Sequence, residues 1–188
     1  MKKYEFTGET KQINLLFRTA TLHRIRAVVE FGLVKIGDLG GWIEKEENLS
    51  HDGKAWVWGN AEVWGNAEVW GNAEVWGNAK VCGDAEVWGN AEVCGDAEVW
   101  GNAKVFSASH VLVIGAIGSR NDFTTFFRDK DGEITVKCGC FLGKIDRFLE
   151  KVASTHGNSK YALVYRAAVE VAKLQIDLTG EAPEMDEE

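Results

Sequence analysis

Residues 61–78 read AEVWGNAEVWGNAEVWGN, one six-letter phrase three times over. Working outward, the unit A-x-V-[W/C/F]-G-[N/D] runs from Ala55 to Phe106. Alanine recurs at 55, 61, 67, 73, 79, 85, 91, 97 and 103, and valine follows two residues later each time. The alternation in A-x-V-x is a strand pattern. Gly-Asn and Gly-Asp are the pairs that most readily accept positive φ, so the chain bends after each strand. Glycine at every sixth position excludes a helix.

Two β folds compete for this pattern. A meander of two-residue hairpins would set Trp64 opposite Ala67 and make the Ala/Val face of one strand the Glu/Trp face of the next. Neither face would be dry. A parallel solenoid turns every Ala and Val inward and stacks like on like. The fold class expected is therefore mainly β, a parallel β-solenoid.

The repeat resembles the hexapeptide-repeat left-handed β-helix family, in which three hexads make one triangular coil. The resemblance implies left-handedness and three to four coils. Weaker hexads flank the regular ones, LSHDGK at 49–54 and SHV at 109–111. In that frame His51 falls on an inward valine position, which points to a cap role. Residues 22–50 resemble the N-terminal cap of bacterial and phage proteins of this family that are assigned as transferases.

On a three-hexad coil, residues 18 apart stack ~4.8 Å from one another. The aromatic stripes are then Trp58/Trp76/Cys94, Trp64/Cys82/Trp100 and Trp70/Trp88/Phe106. Glu62/Lys80/Glu98 and Glu68/Glu86/Lys104 each include a lysine that relieves like-charge repulsion, whereas Glu74/Glu92 does not. Asn60/Asn78/Asp96, Asn66/Asp84/Asn102 and Asn72/Asn90 form ladders suited to hydrogen bonding along the stack. Trp58, Trp64, Trp70, Trp76, Trp88 and Trp100 admit three readings. They shield the short coils, they form an interface in a dimer or trimer, or they offer a stacking platform to a ligand.

The expected organisation is an N-terminal β cap (1–48), the repeat (49–110), a C-terminal α+β module (111–178) and an acidic disordered tail (179–188). In the module, strands are expected near 111–117, 122–129 and 133–140, with Asp131-Gly132 as a hairpin turn. A helix near 143–155 would bury Ile145, Phe148, Leu149 and Val152. A second, near 159–176, would bury Tyr161, Val164, Tyr165, Ala168, Val171 and Ala172. The stretches IGSRNDFTTFF, CGCFLG and HGNSKYA resemble a C-terminal domain of phage and prophage proteins without an assigned role. That resemblance transfers no catalytic residue.

Two features of the module bear on chemistry. Gly118, Ser119 and Arg120, with Thr124, Thr125 and Arg128 and with Lys137 nearby, gather amides, hydroxyls and cations suited to a phosphate or carboxylate. The plainer reading is a polar hairpin loop. Cys138-x-Cys140 with His156 offers soft ligands or a Cys/His pair. However, C-x-C alternates across a strand and no fourth ligand is evident, so buried thiols and no metal are expected. Asp129, Asp131 and Glu133 read as a solvated run around a turn.

The formal net charge of −8 weighs against a nucleic-acid binder. No run approaches the ~18 apolar residues of a membrane span, and the N-terminus lacks an apolar signal core. With four scattered cysteines, a cytoplasmic protein of a bacterial host with reduced thiols is expected. The function expected is a non-enzymatic phage-type binding or assembly protein. Its solenoid would be a rigid oligomerising scaffold, and its C-terminal module would recognise a small anionic ligand or a host protein, with counter-defence as one role. The alternative is an acyltransferase using an acyl-CoA donor. Such enzymes commonly need a histidine base near the coils. Residues 55–106 contain no histidine and no inserted loop, and His51 and His110 lie at the two ends. No cofactor is expected.

Overall fold

A computed structural model describes residues 1–181. Residues 182–188, the greater part of the acidic tail, lie outside them. The chain opens with an antiparallel hairpin, β1 (Tyr4–Asn14) and β2 (Thr19–Ala27). β2 pairs antiparallel with β3 (Leu39–Ile43). From β3 onward the pairing turns parallel. The short strands of the repeat are β4 (Trp56–Val57), β5 (Glu62–Val63), β6 (Glu68–Val69), β7 (Glu74–Val75) and β8 (Lys80–Val81). They continue as β9 (Glu86–Asn90), β10 (Glu92–Val93), β11 (Glu98–Val99) and β12 (Lys104–Ser107).

Every third strand pairs. β3-β5-β8-β11, β4-β7-β10 and β6-β9-β12 form the three faces of a parallel β-solenoid of about 4 turns. The alternation explains the packing, because every repeat alanine and valine from Ala55 to Val105 is fully buried. Each turn glycine from Gly53 to Gly101 has positive φ. A Cβ on Gly83 would lie 2.9 Å from the Gly101 nitrogen, so no larger residue fits that turn without a shift. Each of the expected amide ladders forms one rung. Asn66, Asn72 and Asn78 donate from Nδ2 to Asp84, Asn90 and Asp96 at 3.0, 3.2 and 3.1 Å.

The frame at 49–54 needs correction. Leu49, not His51, occupies the inward slot and bridges to Val69, while Val57 stacks on Val75. The first coil therefore carries two residues more than the regular pitch. His51 sits outside the slot, its ring 4.3 Å from that of Tyr4, and its Nδ1 accepts from the Lys3 N–H at 3.3 Å. Buried Asn48 ties this coil to the next. Its Oδ1 accepts from the Lys45 N–H at 2.9 Å, and its Nδ2 donates to the Ala67 carbonyl at 2.8 Å.

The C-terminal sheet is antiparallel, in the order β13 (Val111–Ile117), β14 (Asp122–Arg128), β15 (Ile134–Cys138) and β16 (Phe141–Lys144). It has four strands where three were expected, because Gly139 adopts φ 55 and turns the chain before Cys140. Two helices follow, α1 (Ile145–His156) and α2 (Lys160–Gln175). The core face of α2 also differs. Ala162, Tyr165, Ala168, Val169 and Ala172 are buried, whereas Tyr161, Val164 and Val171 are exposed. The alanines bring the helix close to its neighbours, and Tyr165 fills the space that remains.

Asp129 is not solvated. It is fully buried, and its carboxylate accepts from Thr135 Oγ1 at 2.6 Å and Lys144 Nζ at 2.5 Å, and from the Asp131 N–H at 3.0 Å. The module closes the end of the solenoid. Phe127 joins the solenoid core, and the Lys130 N–H donates to the Asn102 carbonyl at 3.0 Å. No helix among the described residues is long and apolar enough to cross a membrane.

Candidate functional site: a cleft between solenoid and C-terminal sheet

The β5-β8-β11 face of the solenoid meets the two central strands of the C-terminal sheet, β14 and β15, along a cleft of about 610 Å³. The solenoid supplies Asn78, Lys80, Asp96 and Glu98. The module supplies Arg120, Asp122, Phe123, Thr125, Lys137 and the Gly139-Cys140 turn.

The floor is a fixed ion pair. Lys137 is buried, lies 2.7 Å from Glu98 and sits 4.2 Å above the Trp100 ring. The Glu98 N–H donates to Thr125 Oγ1 at 3.0 Å. These contacts join module to solenoid and leave Lys137 little capacity for a ligand.

The two remaining cations are free by comparison. Lys80, on the solenoid wall, is 42% exposed in its side chain and stands 3.7 Å from Glu98. Arg120, on the module wall, is 56% exposed and 3.8 Å from Asp122. Both distances are too long for tight charge-assisted hydrogen bonds. The arginine lies against bare Gly139, where a Cβ would come within 2.5 Å of its guanidinium.

The residues expected to form an anion site are only partly brought together. Arg120 and Thr125 line the cleft. Gly118 and Ser119 instead pack on α2, where a Cβ on Gly118 would lie 1.9 Å from the Tyr165 hydroxyl. Burial and the neighbouring Cys138 push the Tyr165 phenol up, against a hydrogen bond with Ser119. Thr124 is buried on the other face of β14 and donates to Cys138 Sγ at 3.3 Å. Arg128 lies 4.9 Å over the Phe106 ring, away from the cleft. Lys80, Asp96 and Glu98 were missed as site residues. They belong to ladders read only as structural, and nothing in the repeat marks which coil meets the module.

The tryptophans expected at an interface are unequal. Trp64 and Trp88 are buried within the chain, Trp58, Trp70 and Trp100 are half-buried, and Trp76 is 41% exposed. Leu22 of β2 packs on Trp64 and Cys82, with Ile13, Leu15, Trp42 and Trp100 around them. Burial there, with Glu98 nearby, pushes the Cys82 thiol up to about 12. On the next stripe Trp70 and Trp88 stack at 5.0 Å, and Phe106 follows at 4.9 Å. Cys138 and Cys140 part company, the first beside the helices and the second in the cleft. His156 stacks on Tyr165 at 5.8 Å. Among the described residues no cluster of three His, Cys, Asp or Glu groups is placed to hold a metal ion.

No known family matches the chain, and no curated protein is similar to it at a level that shows kinship.

Proposed function

We propose that the protein is a non-enzymatic binding protein of the phage hexapeptide-repeat type, with a left-handed solenoid as rigid scaffold, and that the cleft takes a small anionic ligand. One observation carries the reading. Lys80 and Arg120 face the cleft from opposite walls, each half-exposed and each with only a loose carboxylate partner. A ligand anion between them gains charge-assisted hydrogen bonds that the free protein does not already make. The histidines add support. His23, His51 and His156 each stack against an aromatic ring, His110 meets the Phe106 ring edge-on, and none of the four lines the cleft. His110 is buried, its Nδ1 accepts from the Phe106 N–H at 3.3 Å, and burial, with Arg128 nearby, holds its pKa below the usual histidine value. A transferase reading therefore has no histidine base at this cleft.

Titration calorimetry with inorganic pyrophosphate tests the site. Arg120→Ala is expected to weaken binding by about tenfold or more, the worth of one charged hydrogen bond of ~1.5–3 kcal/mol. Unchanged affinity would remove the cleft as the site. The scaffold part of the proposal is homo-oligomeric, through the Trp58/Trp76 stripe, the most open of the three. Native mass spectrometry is expected to give a dimer or trimer that Trp76→Ser reduces to a monomer. A wild-type monomer at micromolar concentration would end that part.

A further inference from the structure

We infer that the anion held in this cleft is the phosphate of a nucleotide, with the base lying on Phe123. The inference rests on the cleft being an anion site and adds the ligand class. Phe123 is the second residue of β14, lines the cleft and is 39% exposed. Its ring lies along bare main chain at Gly115, where a Cβ would come within 2.4 Å of Cδ1. An aromatic ring fixed by backbone on one side and open to a polar cleft is suited to a flat partner.

The polar groups are arranged for more than an anion. Beside the two cations stand Asp122, half-exposed, and Asp96, which already accepts from Asn78 at 3.1 Å and has a carboxylate oxygen to spare. A bare phosphate would use Lys80 and Arg120 but meet repulsion from both aspartates. A nucleotide turns those aspartates into acceptors for ribose hydroxyls or an exocyclic amine. The volume of about 610 Å³ lies within the ordinary range for small-ligand sites. A long nucleic acid is disfavoured by the net charge of −8 and by the closed Lys137–Glu98 floor.

The test is a set of calorimetric titrations on the full chain with adenosine 5′-monophosphate, uridine 5′-monophosphate, ribose 5-phosphate and inorganic phosphate. Wild type, Phe123→Leu and Arg120→Ala are compared after matched melting temperatures show that all three fold. Base stacking on an aromatic ring is worth roughly tenfold to a hundredfold in affinity. One or both nucleotides are therefore expected to bind at least tenfold tighter than ribose 5-phosphate. Phe123→Leu is expected to erase most of that advantage and leave ribose 5-phosphate binding unchanged. Arg120→Ala is expected to weaken every phosphorylated ligand. Nucleotides that bind no tighter than ribose 5-phosphate, or a Phe123→Leu chain that binds them as well as wild type, would overturn the nucleotide. The anion site would survive that result if Arg120→Ala still weakened phosphate binding. If none of the four ligands binds, both readings fall.

Discussion

Asp129→Ala is expected to cost about 3 kcal/mol of stability, because it removes a buried acceptor that serves several donors at once. The Thr135 hydroxyl and the Asp131 and Glu133 N–H groups would be left without their partner, and Lys144 would lose its tightest contact. The β14–β15 hairpin would loosen first, and with it the hold of the module on the solenoid, since Asp129 also bridges to Ala103. Urea denaturation and hydrogen exchange over residues 127–144 are the measurements. A loss below about 0.5 kcal/mol would mean the turn is pinned by something else.

The same residue sets an acid limb. Burial pushes the Asp129 carboxyl up, but hydrogen bonds from Lys144, Thr135 and two backbone N–H groups outweigh it, and its pKa lies below the usual aspartate value. A depressed carboxyl stabilises the fold above the unfolded value near 3.8, and that stability is lost as pH falls through the folded value. In Asp129→Asn this share of the acid dependence disappears.

Trp56→Ala carries the other large effect, about 3–5 kcal/mol by the usual cost of emptying a core aromatic site. Trp56 sits where its hexad-mates place glutamate or lysine, yet it is fully buried. Tyr4 and Phe31 cover it edge-on at 6.1 and 5.4 Å, and Gly40 is bare so that the indole fits, its Cζ2 only 2.7 Å from where a Cβ would be. Phe17→Ala, the truncation of an aromatic that is 93% exposed, is expected to cost under about 1 kcal/mol. Equal melting shifts in the two variants would show that the N-terminal cap does not depend on this ring.

The solenoid was legible because its pattern is redundant. Each hexad repeats the same inward Ala and Val, the same bend and the same outward pair, so an error in one unit is corrected by its neighbours. Where redundancy stops, legibility stops. Two residues added between Leu49 and Val57 shifted the frame of the first coil, and no periodic neighbour was there to show it. The face of α2 was misread because alanines, not the larger Tyr161, Val164 and Val171, make its close packing. The positive φ of Gly139 hid a fourth strand. The cleft was half legible. Arg120 and Thr125 stand out as a polar turn, but Lys80 differs from the other rungs only in having the module beside it.

The shared stripe limits how such a solenoid can change length. Leu22 from the N-terminal hairpin and Lys137 from the module both rest on the stripe Trp64/Cys82/Trp100. Hexads this alike are interchangeable in the solenoid, so it can accept a change in their number. A block of three hexads lengthens the molecule by ~4.8 Å and keeps both ends on one stripe. A block of one or two turns the module onto another face, where Lys137 would meet a different ladder. The geometry therefore counts in threes: only a change by whole coils keeps both ends of the molecule on their shared stripe.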